Sequence, residues 1–163
     1  MDGKDLGAKA KIAAKPLRAA ASKIRKPAKA KIGHVLVVED DAILALTIEQ
    51  ALQAAGANKI SICAGANEAL EELRAAKPDV VVLDVHLADS NEGWEIAELL
   101  SAISPKPPKI IFSTGAPQDI PEEIAALGPV LEKPYDPERL VELARKPRRQ
   151  GILALLRRKN AKS

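Results

Sequence analysis

Five short apolar runs constrain this chain more than any other feature of its 163 residues. Each stops abruptly at polar residues, and each is followed by a segment of helical spacing. The first, His34-Val-Leu-Val-Val38, is continuous rather than alternating and rich in β-branched residues. That is the mark of a strand buried on both faces. It stops at Glu39-Asp40-Asp41, with Asp41 placed to cap a helix. From Ala42 to Ala55 apolar residues recur at Ile43, Leu44, Leu46, Ile48, Ala51 and Leu52, and Gly56 ends that helix. A second strand spans 59–63, and Asn67 is expected to cap a helix running to about Ala76. The third strand spans 80–83 and delivers Asp84. A polar loop over 88–93 precedes a helix from about Trp94 to Ile103. The fourth strand spans 109–112 and ends in Ser113-Thr114-Gly115, with a short helix over 121–127. Val130 and Leu131 form the fifth strand and lead into Lys133-Pro134. Asp136 caps a last helix from Pro137 to about Arg145.

Strand then helix, repeated five times, implies parallel strands joined by right-handed crossovers, with helices on both faces. The expected fold is α/β, a doubly wound five-stranded parallel sheet. In such sheets, sites form at the carboxyl ends of the strands, near the point where strand order reverses. The polar residues that end the apolar runs fall there: Glu39 and Asp40, Asp84, Ser113 and Thr114, and Lys133. Three carboxylates in one crevice repel one another. A hard divalent cation with oxygen ligands, such as Mg²⁺, relieves that repulsion. Phosphoryl transfer uses the same parts, with a carboxylate nucleophile and an ammonium and a hydroxyl on the equatorial oxygens. Asp84, on the central strand, is the natural nucleophile.

Taken singly these residues have plainer roles. Acids favour turns and helix starts, threonine suits a turn, and lysine is at home in solvent. Their joint placement carries the argument. VLVVEDD at 35–41, VVVLDVHL at 80–87, IIFSTG at 110–115 and EKPY at 132–135, in that order, resemble the receiver domain of two-component response regulators over residues 33–146. The resemblance implies a (βα)5 flavodoxin-like fold and a role for each matching position. Asp84 would accept a phosphoryl group from a histidine kinase or phosphotransfer protein. Glu39, Asp40, Asp84 and the backbone carbonyl of His86 would hold Mg²⁺. Thr114 and Lys133 would contact the phosphoryl group, and the Lys133-Pro134 bond would be cis. Such a chain assists its own phosphotransfer and dephosphorylation without being an enzyme of turnover. It signals by binding a downstream protein, as a monomer or a phosphorylation-dependent dimer.

Two departures bear on the output. Many receivers carry an aromatic switch residue three positions before the lysine, where this chain has Val130. Phe112-Ser-Thr-Gly-Ala-Pro117 is similar to the FATGUY variant of stand-alone alphaproteobacterial receivers, although Pro117 replaces its aromatic. A hydrolase of the related phosphatase class would need an aspartate two residues after the nucleophile, and His86 stands there. The His86 and His34 side chains are expected to be ordinary loop and strand-end groups. Trp94 is read as packing its helix on the core, and Tyr135 as packing beside the crevice.

Composition sets the remaining limits. Only 2% of residues are aromatic, which argues against base stacking on nucleic acid. One cysteine, Cys63, excludes an intramolecular disulfide framework, and a cytoplasmic location is the expectation. No run of about 18 apolar residues marks a membrane span, and no secretory signal is evident. The net charge of +3 conceals a segregation. Residues 34–144 hold 20 acidic and 7 basic residues, whereas 1–33 hold 10 Lys/Arg against 2 Asp, and 145–163 hold 8 Lys/Arg and no acid. Residues 1–32 read as a disordered basic tail and 147–163 as a basic tail or short helix. Ile152-Leu-Ala-Leu-Leu156 between arginine clusters suits an anionic membrane surface or an acidic partner. Two rival readings are therefore a phosphate-independent interaction adaptor and a polyanion or membrane binder acting through the tails.

Overall fold

The computed structural model describes residues 29–88 and 93–147. The terminal segments 1–28 and 148–163, for which tails were expected, lie outside the described residues. The five repeats are present: β1 (His34–Val38), α1 (Ala42–Ala54), β2 (Lys59–Cys63), α2 (Ala66–Ala75), β3 (Val80–Asp84), α3 (Glu95–Ile103), β4 (Lys109–Thr114), α4 (Glu122–Ala125), β5 (Val130–Glu132) and α5 (Pro137–Arg145). The strands form one parallel sheet in the order β2-β1-β3-β4-β5. Strand order reverses between β1 and β3, which puts their carboxyl ends at the switch point.

Two aliphatic layers follow from the period of two along each strand. Val35, Val37, Val80, Val82 and Ile111 pack against Ile48 and Leu52 of α1 and Leu140, Val141 and Ala144 of α5. Leu36, Val38, Val81, Leu83, Ile110 and Phe112 pack against Ala69 of α2, Ile96 and Ala97 of α3, and Ile124 of α4. Trp94 is half-buried against the second layer, as its helix-packing role requires. Ile32 is wholly buried in the first layer and its carbonyl accepts from Asn58 N–H at 3.1 Å. The core thus reaches at least one residue ahead of Gly33, where the domain was expected to begin.

Local signals explain most helix ends. The Asp41 carboxylate caps α1 by accepting from Ile43 and Leu44 N–H, and Asp136 caps α5 by accepting from Glu138 N–H, with Pro137 in the first turn. α2 corrects the expected cap. Its N-cap is Gly65, Asn67 lies inside the first turn, and Glu68 reaches back to accept from Ala64 N–H at 2.9 Å. The segment after β4 also differs, breaking into a 3-10 turn at Pro117–Asp119 before the single turn of α4. Pro117 and Pro121 withhold the N–H groups a longer helix needs. At the end of α1, Gly56 turns the chain with φ of 85°, and open space surrounds the position of a missing Cβ. The barrier to a side chain there is purely conformational. Gly56→Ala is therefore expected to lower unfolding free energy by about 1–2 kcal/mol in urea titration, with no other change in structure.

His34 is half-buried at the start of β1. Its Nε2 lies 2.9 Å from Ser61 Oγ, and that hydroxyl donates to Glu72 Oε1 at 2.8 Å. The carboxylate only accepts, so the serine proton is committed to Glu72 and His34 Nε2 is the donor to Ser61. Burial lowers the His34 pKa from 6.5, and Lys59 adds to the effect against Glu72 and Asp79. A depressed pKa means that the fold disfavours the imidazolium. The stability His34 contributes is complete above pH 6.5 and is lost as pH falls through its folded value. Chemical denaturation of His34→Asn across this range should show a flatter acid side than the wild-type protein.

Candidate phosphate and metal site

The carboxyl ends of β1 and β3 meet because those strands pair, with Val38 opposite Leu83. Glu39 and Asp84 continue the parity of Val37 and Val82, so both side chains emerge on the α1/α5 side of the sheet. Lys133 has the same parity as Leu131 and joins them from β5. A backbone bond from Lys133 N–H to Thr114 O, 2.8 Å, holds the end of β5 against the end of β4. Lys133 Nζ then donates to Asp84 Oδ2 at 3.0 Å and lies 2.8 Å from Glu39 Oε2. The Lys133-Pro134 peptide is cis.

Glu39 and Asp84 are buried, 2% and 4% exposed, and Asp40 beside them is open to solvent. One carboxylate oxygen from each of Glu39, Asp40 and Asp84 lies within 4.8 Å of the others. Burial raises the pKa of Glu39. Lys133 and the Asp41 N–H oppose the rise, and the charge of Asp84 adds to it. For Lys133 burial works against its charge, but the two carboxylates outweigh it and its pKa is raised. Glu39 Oε2 accepts no aligned hydrogen bond even though the ammonium stands beside it. A buried acceptor with unused lone pairs, next to an open carboxylate and a third acid, is a donor set suited to a hard cation with oxygen ligands. The residues present therefore fit Mg²⁺.

The other expected site residues are placed less simply. His86 N–H donates to Asp84 Oδ1 at 2.9 Å, which folds residues 84–86 into a turn. The exposed His86 ring reaches Thr114 Oγ1 at 3.4 Å through Nδ1 and Asp119 at 3.6 Å through Nε2. Thr114 Oγ1 also accepts from Ala116 N–H at 3.1 Å. Thr114 has the parity of Ile110 and Phe112, so it leaves β4 on the face opposite Glu39 and Lys133. Ser113 takes the α1/α5 side instead and shares a 2.9 Å hydrogen bond with Tyr135 OH, whose pKa burial raises. The sequence placed Ser113 and Tyr135 near the crevice but not their hydrogen bond, and it gave no signal for Asp119, because these contacts join residues distant in the chain. Gly93 had one: a glycine closing a polar loop. A Cβ on it would stand 2.5 Å from the Asp84 carbonyl oxygen and 2.8 Å from that of Val85, and its N–H donates to Val85 O at 3.0 Å. Only glycine lets the loop close this tightly under Asp84.

Comparison with known proteins identifies the family of the fold. The family model of the response regulator receiver domain matches residues 35–145, and the chain belongs to that family. Sensory transduction protein LytT of Bacillus cereus is 36% identical over 121 residues, covering 71% of this chain and 47% of LytT. Chemotaxis protein CheY of Thermotoga maritima is 28% identical over 115 residues, covering 69% of this chain and 95% of CheY. A CheY-like receiver domain from Methylobacillus flagellatus superposes with a TM-score of 0.60 at 27% identity, covering 67% of this chain and 92% of that one. The chain spans about half the length of LytT. Among the described residues no helix is long and apolar enough to cross a membrane.

The raised pKa of Glu39 has a measurable sign. Ionised Glu39 is less favourable in the fold than in the unfolded chain, so it costs stability above its unfolded value of 4.5. In EDTA at pH 7, Glu39→Gln should unfold at higher urea concentration than wild type, and the difference should shrink as pH falls toward 4.5. Added Mg²⁺ should stabilise wild type more than the variant.

Proposed function

We propose that this chain is a phosphoacceptor of a two-component phosphorelay, in the cytoplasm, with Asp84 receiving the phosphoryl group. The observation that carries this reading is the half-buried Lys133 ammonium held between the buried carboxylates of Asp84 and Glu39, with Asp40 completing a three-carboxylate cluster. A bound Mg²⁺, held by Glu39, Asp40, Asp84 and the His86 carbonyl, would neutralise charge on the transferring group.

The chain's own residues supply the rest. Asp84 Oδ attacks the phosphorus of a phosphohistidine on a histidine kinase or phosphotransfer protein. A P–O bond forms as the P–N bond breaks, and the imidazole leaves with the electron pair and takes a proton. Lys133 already touches Asp84 Oδ2 and pairs with a phosphoryl oxygen after transfer. Thr114 donates its hydroxyl to another once it leaves His86. Because Asp84 is consumed at each transfer, the chain acts as a signalling acceptor rather than a turnover enzyme. A downstream protein reads the altered surface, with the chain as a monomer or a phosphorylation-dependent dimer. Val130 lacks the ring and hydroxyl of an aromatic switch, as in the FATGUY variant, so the readout takes a form that does without one.

The test is phosphotransfer from a partner kinase, or from acetyl phosphate with Mg²⁺, to wild type and Asp84→Asn. Labelling of wild type alone is expected, with Lys133→Ala labelled weakly. Equal labelling of wild type and Asp84→Asn would sink the assignment. Beryllofluoride with Mg²⁺ should shift amide resonances of wild type around residues 84–86 and 113–116, and leave Asp84→Asn unchanged.

A further inference from the structure

The described surface carries three exposed large apolar side chains, and two of them are neighbours on one face of α1: Ile43 at 80% and Leu46 at 52% exposure. They stand one turn apart at the end of α1 nearest the carboxylate cluster. Beside them is a groove of about 370 Å³ lined by Glu39, Asp40, Ala45, Leu46, Glu49 and Ile62, among others. An aliphatic floor with an acidic rim suits a segment that is itself aliphatic and basic. The same chain holds such a segment. Residues 148–163 place Ile152-Leu-Ala-Leu-Leu156 between Arg148-Arg149 and Arg157-Arg158-Lys159, with no acidic residue. Residues 1–28 are also basic, but their aliphatic residues are dispersed among lysines and interrupted at Pro16 and Pro27.

We propose that the exposed face of α1 at Ile43 and Leu46 is the docking surface for this chain's own segment 148–163. The point of departure favours it. α5 packs against α1 through the shared aliphatic layer, and Arg145, its last residue, donates to Ala55 O at 2.9 Å, at the far end of α1. From Ala55 back to Ile43 is about 18 Å of helix. Ile152 to Leu156 lie five to nine positions past Pro147, a reach on the order of 15–30 Å. The segment is long enough to run along α1 and lay its aliphatic residues over Ile43 and Leu46. Its arginines then face Asp40, Asp41 and Glu49.

The docking is read without phosphate, so it stands or falls apart from the role of Asp84. The probe is a nitroxide on the full chain at Asn160→Cys. Burial pushes the Cys63 thiol up to about 11, so labelling at neutral pH is confined to the introduced thiol. The expected result is loss of amide signal across residues 42–49 of α1, with recovery in Ile43→Ser/Leu46→Ser and in Leu153→Ser/Leu155→Ser/Leu156→Ser. The first pair is exposed, and unchanged dispersion outside α1 verifies that each variant keeps its core. Signal loss that is absent from α1, or that persists in both variants, overturns the proposal. So does loss seen only when label and isotope are on different copies, which makes the occupant a second chain. Binding of the segment to phosphatidylserine vesicles with α1 unaffected overturns it in favour of a membrane surface.

Discussion

Lys133 between Glu39 and Asp84 is the contact on which the carboxyl edge of the sheet depends. Two buried carboxylates a few ångströms apart would leave uncompensated charge in a low-dielectric rim, which is more costly than most single contacts in a domain of this size. The ammonium lies 2.8 Å from one and 3.0 Å from the other, and its own raised pKa shows that the pairing outweighs its burial. Yet one cation for three acids leaves the cluster short of positive charge, and Glu39 Oε2 short of a hydrogen bond. The edge is stable enough to form, and its three carboxylates still offer oxygen ligands of the kind a hard cation takes.

The sheet makes this contact available by arithmetic. Side chains alternate along a strand, so one register decides which polar residue emerges on which face. With β1 and β3 paired as they are, Glu39 and Asp84 continue the α1/α5 layer, and β5 adds Lys133 with the same parity. Shifting any one strand by a residue would send its functional group to the other face. The aliphatic packing that sets the register therefore also sets the site. The packing of Val35, Val37, Val80 and Val82 thereby fixes the face on which Glu39 and Asp84 emerge.

This logic explains what the sequence made legible. Apolar runs and their polar ends are local, so strands, the caps at Asp41 and Asp136, and the meeting of Glu39, Asp40, Asp84 and Lys133 could all be read from it. The errors lie where local signals compete or contacts are remote. Asn67 is a good cap by type, but Glu68 already satisfies Ala64 N–H from inside the helix, and the chain starts α2 at Gly65. Ile32 follows a lysine-rich stretch and looks like tail, but it closes the bottom of the α1/α5 layer and belongs to the core. Ser113 of β4 with Tyr135, and His86 with Asp119, are pairings between distant parts of the chain that no spacing in the sequence announces.

Thr114 shows how the same parity shapes a response. Because it leaves β4 on the face opposite Glu39 and Lys133, its hydroxyl rests with His86 and the Ala116 N–H rather than with the acids. A group on Asp84 that drew Thr114 toward it would have to take it from His86. The freed imidazole still faces Asp119 in the 3-10 turn that leads to α4. α4 is one turn long and flanked by Pro117 and Pro121, so little regular backbone bonding resists its displacement. Val130 on β5 packs into the aliphatic layer on that side and carries no polar end to follow the change. Thr114, His86 and Asp119 thus form one chain of contacts from the end of β4 to the segment after it, whereas β5 offers only the aliphatic Val130 on that side.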